Sequence, residues 1–262
     1  IIYFVLTQNP FMKASVLSLI KNQTKGIAVL IDPDKFKEKE PLIAFINKIN
    51  SAAPDFIFIG GSTVSRHDFN QCVALVKSIS KIPIVIFPGA AHQLHKDADA
   101  ILFLSLLSGR NPDFLIGHHI QAVDELMEME IEVLPCAYLL IEGGKTSAVE
   151  YVTQTAPIPV DQINIIRKTA LAGKFQGKKI VFLDAGSGAK NCISAEIINS
   201  VSDLGLPVII GGGIRSIEGI NKAHQAGANI VVIGNKIEDD INFLLELEQF
   251  NKMKALEILG RN

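Results

Sequence analysis

The chain has 262 residues, 48% of them hydrophobic, which is enough for one large core and a normal length for a single α/β barrel. A net charge of -2 and a pI of about 6.3 leave no basic footprint for nucleic acid. Cys72, Cys136 and Cys192 are odd in number and widely spaced, so they make neither a zinc motif nor a disulfide framework, and a cytoplasmic setting is expected.

The opening Ile1-Ile2-Tyr3-Phe4-Val5-Leu6 is apolar but too short to span a bilayer, and it lacks a basic leader, so no stable membrane insertion is expected. The chain opens without Met, so the expectation is that either residues upstream are missing or the start of the sequence has been altered. Lys13 to Lys25 reads as a leading helix. Gly26 to Ile31 is the first strand, ending in Asp32-Pro33-Asp34-Lys35, and Glu40 to Ser51 carries a helical apolar period. Phe56 to Ile59 is the second strand, ending in Gly60-Gly61-Ser62-Thr63, with a helix over 69–79. Ile84 to Phe87 is the third. Residues 90–98 are too few for a full helix, so the third crossover reads as irregular. Ala100 to Leu104 is the fourth strand and Pro112 to Met129 a long helix. The fifth strand lies within Glu132 to Ile141, and Gly143-Gly144-Lys145 opens a long loop. Asp161 is the expected N-cap of a helix from Gln162 to Ala172. Lys179 to Leu183 is the sixth strand, Ser194 to Leu204 a helix, and Asp240 to Leu259 the closing helix.

Between them, Val208-Ile209-Ile210 ends in Gly211-Gly212-Gly213, and Ser216 is the expected N-cap of the helix that follows. Asn229 to Ile233 ends in Gly234-Asn235. Eight continuously apolar strands alternate with helices, as parallel strands buried on both faces do. The expected fold is one (β/α)8 TIM barrel over 1–262, with a leading segment 1–25 and the barrel over about 26–260. A doubly wound open sheet shares the local pattern. Two adjacent glycine-bearing turns late in the chain match the phosphate site after strands 7 and 8 of a closed barrel, and favour closure.

In that fold, chemistry sits at the C-terminal strand ends. These carry Asp32, Asp34 and Lys35; Ser62 and Thr63; Asp184 and Ser187; Arg215 and Ser216; and Asn235. Asp32 and Ser62 end adjacent strands, and one carboxylate with one hydroxyl suits Mg²⁺, which keeps waters and takes phosphate oxygens. Asp32-Pro33 also reads as a plain Asx turn, and Ser62 as a helix cap. His118 and His119 are adjacent on a helix and cannot form an i,i+4 metal pair. His92 and His95 read as surface residues.

Leu30-Ile31-Asp32-Pro33-Asp34-Lys35, Gly60-Gly61-Ser62-Thr63, Phe182-Leu183-Asp184-Ala185-Gly186-Ser187-Gly188-Ala189, Gly211-Gly212-Gly213-Ile214-Arg215 and Gly234-Asn235, in this order, resemble the geranylgeranylglyceryl phosphate synthase family. Gly117-His118-His119-Ile120-Gln121 is also similar. The resemblance spans about 26–240 and is closest to the longer-chain, heptaprenylglyceryl phosphate synthase branch. It implies a Mg²⁺-dependent prenyltransferase that joins a polyprenyl diphosphate, geranylgeranyl diphosphate by the family's name, to the 3-hydroxyl of sn-glycerol 1-phosphate. Mg²⁺ would be held at Asp32 and Ser62. The glycerol phosphate would lie at Phe182, Leu183, Asp184, Ala185, Gly186, Ser187 and Gly188, at Gly212 and Gly213, and at Gly234 and Asn235, with Asp184 catalytic. A homodimer or hexamer is implied. Two departures stand out. The family's usual Tyr-x-Glu is Phe182-Leu183-Asp184 here, which loses a hydroxyl and shortens the carboxylate by one methylene. Leu30 stands where some members carry Lys. Another phosphate-handling barrel, such as a biosynthetic isomerase, would use GGGIRS equally, and a non-catalytic phosphometabolite-binding barrel is the other alternative. An isomerase needs a second opposed carboxylate.

Overall fold

The computed structural model describes residues 15–259. The apolar opening run and Lys13 lie outside the described residues. Helix α1 spans Val16–Asn22, β1 Gly26–Ile31, α2 Lys39–Ala52, β2 Phe56–Ile59, α3 Arg66–Ile79, β3 Ile84–Ile86 and β4 Ala100–Leu106. Then come α4 His118–Met127, β5 Glu132–Leu140, α5 Ala148–Thr153, α6 Ile163–Phe175, β6 Ile180–Asp184 and α7 Ala195–Ser202. The chain finishes with β7 Val208–Gly211, α8 Ile217–Gln225, β8 Ile230–Ile233, α9 Asn235–Asp239 and α10 Phe243–Leu259.

Every strand pairs in parallel with its sequence neighbour, and β8 closes on β1, with Gly26 opposite Ile230 and Val29 opposite Ile233. Closure rules out the open sheet. The strands are continuously apolar because each faces two cores. On β1, Ile27, Val29 and Ile31 pack outward against helices. Ala28 and Leu30 face the lumen, with Phe56, Phe58, Phe87, Tyr138 and Phe182. Val16 and Ile20 of α1 plug the lumen's lower end. Glu132 of β5 pins that plug by accepting from the Val16 and Leu17 amides at 2.5 and 3.2 Å.

The third crossover is irregular, as its length requires: residues 87–99 hold turns and no helix. Buried Gln93 secures it, accepting from the Gly89 amide at 3.0 Å and donating to the Gly61 carbonyl at 2.7 Å. Three local expectations are corrected. The loop after β5 contains α5, started by Ser147 accepting from the Glu150 amide. Asp161 does not cap α6: Gln162 holds that position without a side-chain bond. The helix expected from Pro112 begins as a π-helical turn, Asp113–Gly117, before α4. No helix among the described residues is long and apolar enough to cross a membrane.

Candidate active site

A cavity of about 730 Å³ opens at the C-terminal end of the barrel. One end is polar, lined by Asp32, Ser62, Asp184, Ser187, Gly188, Gly212, Gly213, Gly234 and Asn235. The other is an apolar lobe between β4, α4 and α5, lined by Leu94, Phe103, Leu104, Phe114, Ala122 and Val149. A single space thus joins a polar end to an apolar lobe.

At the polar end, the turns after β6, β7 and β8 pack directly on one another. Gly212 and Gly213 adopt φ of +81° and +72°, the left-handed region that favours glycine. A Cβ on Gly212 would lie 2.8 Å from the backbone N and O of Gly186, and one on Gly213 would lie 2.6 Å from the Asn191 carbonyl oxygen. The glycines are therefore required by turn-on-turn packing, whether or not a ligand approaches. Asn235 ties β8 to β6: its Oδ1 accepts from Ser187 Oγ at 3.0 Å and from the Gly188 amide at 2.8 Å. It also opens α9, a short extra helix after β8 at the place where such barrels hold phosphate. The side chains of Leu183 and Ala185 face away, into the helix-packed core. Gly186 gives its amide to Asp184 at 2.8 Å. These three frame the site without lining the cavity.

Asp184 is buried at the last residue of β6. Burial pushes its carboxyl above the ordinary range, while bonds from Tyr138 and Gly186 oppose the shift. Tyr138 Oη donates to Asp184 Oδ2 at 2.5 Å. Burial, reinforced by Asp184, holds the Tyr138 phenol well above its usual value. Phe182 lies across from Tyr138 in the β5–β6 register, its ring stacked 5.0 Å from Phe87. The hydroxyl absent at 182 is thus matched by one from the neighbouring strand. Sequence reasoning missed Tyr138 because only strand register brings it to Asp184.

Asp32 and Ser62 both line the cavity from adjacent strand ends. Asp32 Oδ1 accepts from the Asp34 amide at 3.1 Å, so the Asx turn and the site-facing position coexist. Burial raises the Asp32 carboxyl. Ser62 does not cap α3, whose N-cap is Ser65. Asp34 is engaged by Thr63 Oγ1 at 2.8 Å. Leu30 lies in the lumen and lines the cavity, leaving no cation there. Two further carboxylates on α9, Glu238 and Asp239, line the cavity. Glu238, raised mainly by burial, sits 3.8 Å from Lys35.

The histidines are placed differently from expectation. His92 is half-buried, with Nε2 2.9 Å from the Val64 carbonyl oxygen, and so is not a free surface group. His118 and His119 both line the cavity. His119 stacks on Phe103 at 3.8 Å with Nε2 2.7 Å from the Leu104 carbonyl oxygen, and burial lowers its pKa. Among the described residues, no group of three or more His, Cys, Asp or Glu side chains is arranged to hold a metal ion by itself.

Comparison with known proteins agrees with this layout. The PcrB family profile matches residues 20–254. The geranylgeranylglyceryl phosphate synthase of Zunongwangia profunda is 45% identical over 231 residues, covering 88% of this chain and 98% of that protein. The synthase of the same name from Korarchaeum cryptofilum is 35% identical over 227 residues, covering 86% and 93%. The crystal structure of (S)-3-O-geranylgeranylglyceryl phosphate synthase from Thermoplasma acidophilum, in complex with its substrate sn-glycerol-1-phosphate, superimposes with a TM-score of 0.84. It is 32% identical, covering 90% of this chain and 96% of that one. With its barrel, its paired glycine turns and its joined polar and apolar cavity, this chain belongs to the PcrB family, that of the geranylgeranylglyceryl phosphate synthases.

Proposed function

We infer that this prenyltransferase joins a polyprenyl group, from its diphosphate, to the 3-hydroxyl of sn-glycerol 1-phosphate. The observation that carries the reading is the continuity of one cavity from the β6–β8 turns, past Asp184, to the apolar lobe at α4. The acceptor's phosphate is read at Ser187-Gly188, Gly212-Gly213 and Gly234-Asn235. The prenyl chain is read in the lobe walled by Leu104, Phe114 and Ala122. Asp32 and Ser62 fit Mg²⁺ as a sparse set of hard oxygen donors that leaves positions for water and diphosphate. Once bound there, the ion would neutralise charge on the departing diphosphate.

The residues of the chain divide the remaining work. The turn amides and Asn235 place the acceptor. Asp184 receives the acceptor's hydroxyl proton as the new C–O bond forms at C1 and the C1–diphosphate bond breaks. The aromatic floor and the apolar lobe keep water from the developing allylic cation. Most of the acceleration then comes from positioning and charge stabilisation. A homo-oligomer in the cytoplasm completes the reading. An exposed apolar stripe along the α4 side, Ile116, Ile120, Val123 and Met127, supports self-association, and light scattering of the purified chain tests it.

The test is incubation of the chain with radiolabelled geranylgeranyl diphosphate, Mg²⁺ and a panel of glycerol phosphates. Label transfer to sn-glycerol 1-phosphate in preference to its 3-phosphate enantiomer is expected. Equal transfer to both, or to neither, would overturn the acceptor assignment.

A further inference from the structure

Asp184 is the only buried Asp, Glu, Lys or Arg among the described residues, and both of its oxygens are engaged. Oδ1 accepts from the Gly186 amide at 2.8 Å and Oδ2 from the Tyr138 hydroxyl at 2.5 Å. The phenol is itself immobilised. Its ring meets Phe182 edge-on at 5.6 Å and Phe87 edge-on at 6.0 Å, and Phe87 stacks on Phe182. Three lumen rings thus aim one hydroxyl at one carboxylate, at the junction of the polar and apolar ends of the cavity.

We propose that Tyr138 is the positioning residue of the acceptor site, holding Asp184 in one orientation so that the acceptor's hydroxyl meets a fixed proton acceptor. The proposal rests on reading Asp184 as that acceptor. In the step it serves, the hydroxyl oxygen forms a bond to C1 and the C1–oxygen bond to diphosphate breaks with its electron pair. The hydroxyl proton passes to Asp184, while Tyr138 keeps its own proton and remains the donor. The high phenol pKa is in accord with that donor role.

The position of Phe182 makes the hydroxyl itself testable. Phe182 Cζ and Asp184 Oδ1 lie 3.2 and 3.4 Å from the point a Cβ on Gly211 would occupy. Both atoms border that one point, and Phe182→Tyr adds a hydroxyl to the ring carbon next to it. The informative set is therefore Tyr138→Phe, Phe182→Tyr, the double variant and Asp184→Asn, each checked for native thermal unfolding and assayed for prenyl transfer across pH.

Tyr138→Phe keeps the ring packing and removes only the donor. Its kcat is expected to fall about 10- to 100-fold, the range for losing a hydrogen bond to a charged group, with the KM for prenyl diphosphate unchanged. The acid limb of kcat/KM moves to higher pH, because the carboxylate loses the donor that favours its charge. Asp32, Lys145, Arg215, Lys236, Glu238, Asp239, His118 and His119 also line the cavity and are unaltered in this variant, so they do not account for the shift. The double variant is expected to recover to within about fivefold of the activity of Phe182→Tyr alone, and that comparison stands even if Tyr138→Phe is insoluble. A Tyr138→Phe kcat within twofold of the parent, an unmoved acid limb, or a double variant no better than Tyr138→Phe would overturn the proposal. Near-normal kcat in Asp184→Asn would instead overturn the reading of Asp184. A defective Asp184→Asn beside a normal Tyr138→Phe would overturn only the role given to Tyr138.

Discussion

Replacing Gly212 by alanine puts the packing of the phosphate-side turns to a quantitative test. At φ +81° an alanine carries the left-handed penalty of roughly 1–2 kcal/mol. Its Cβ would also lie 2.8 Å from the Gly186 N and O and 3.0 Å from the Ala185 carbonyl carbon. All three are backbone atoms, so the turn must shift, at a further cost of about 1–3 kcal/mol. Gly177 is the matched control. It has φ +86°, but a Cβ there meets nothing within 4 Å, so Gly177→Ala carries only the conformational penalty. At roughly 2–4 °C per kcal/mol for a chain of this size, Gly212→Ala should melt about 2–12 °C below Gly177→Ala in parallel thermal scans. Equal melting temperatures would refute the claim that backbone contact fixes this glycine. The shift also has a functional consequence. It moves the β6 turn, so if the proposed acceptor site at Ser187-Gly188 is right, acceptor KM should rise even though alanine adds only one methyl group.

Asp184→Asn should lower kcat about 10²–10⁴-fold, the usual loss for a general base, with acceptor KM changed much less. The same variant should unfold at a higher temperature than the parent at any pH where the folded chain carries Asp184 ionised. A carboxyl whose folded pKa is raised binds more protons folded than unfolded, so its contribution to stability declines as pH rises through that folded pKa. Above that pKa the folded chain bears the cost of a buried charge, and asparagine removes it; a lower melting temperature there would contradict the burial argument. Asp32→Ala should abolish Mg²⁺-stimulated transfer, whereas Asp34→Ala, which loses only the Thr63 tether, should be mild; the reverse order would move the metal to the rim. Ala122→Trp, set in the wall of the apolar lobe, should raise KM for long prenyl diphosphates and spare short ones. An equal effect on both would move the tail elsewhere.

The barrel was legible because each strand is an apolar run ended by a polar or glycine-rich turn. Gly26 to Ile31 and Phe56 to Ile59 have the same bounds in sequence and structure. The irregular third crossover followed from its length alone. Features held by few residues or by long-range pairing were not legible. Helix α9 has five residues, too few to show a period, and α5 has six behind a serine cap in a stretch that reads as loop. At the site, motif order located the strand ends but not which side chains turn inward. Strand alternation, fixed once β6 pairs with β5, sends Leu183 to the helices and Asp184 to the lumen. Tyr138 and Gln93 carry no local signal, because each acts on a partner contributed by another strand or turn. The apolar lobe is assembled from β4, α4 and α5, and only their packing makes it a groove.

The most direct test is a crystal structure of the chain with sn-glycerol 1-phosphate, Mg²⁺ and a non-reactive thio analogue of geranylgeranyl diphosphate. The expected density places the glycerol's phosphate on Gly212-Gly213 and Asn235, the metal between Asp32 and the diphosphate, and the 3-hydroxyl against Asp184. The prenyl tail should run between Leu104 and Ala122. A tail outside that lobe, or a phosphate away from the β7 and β8 turns, would contradict the assignment of the two ends of the cavity.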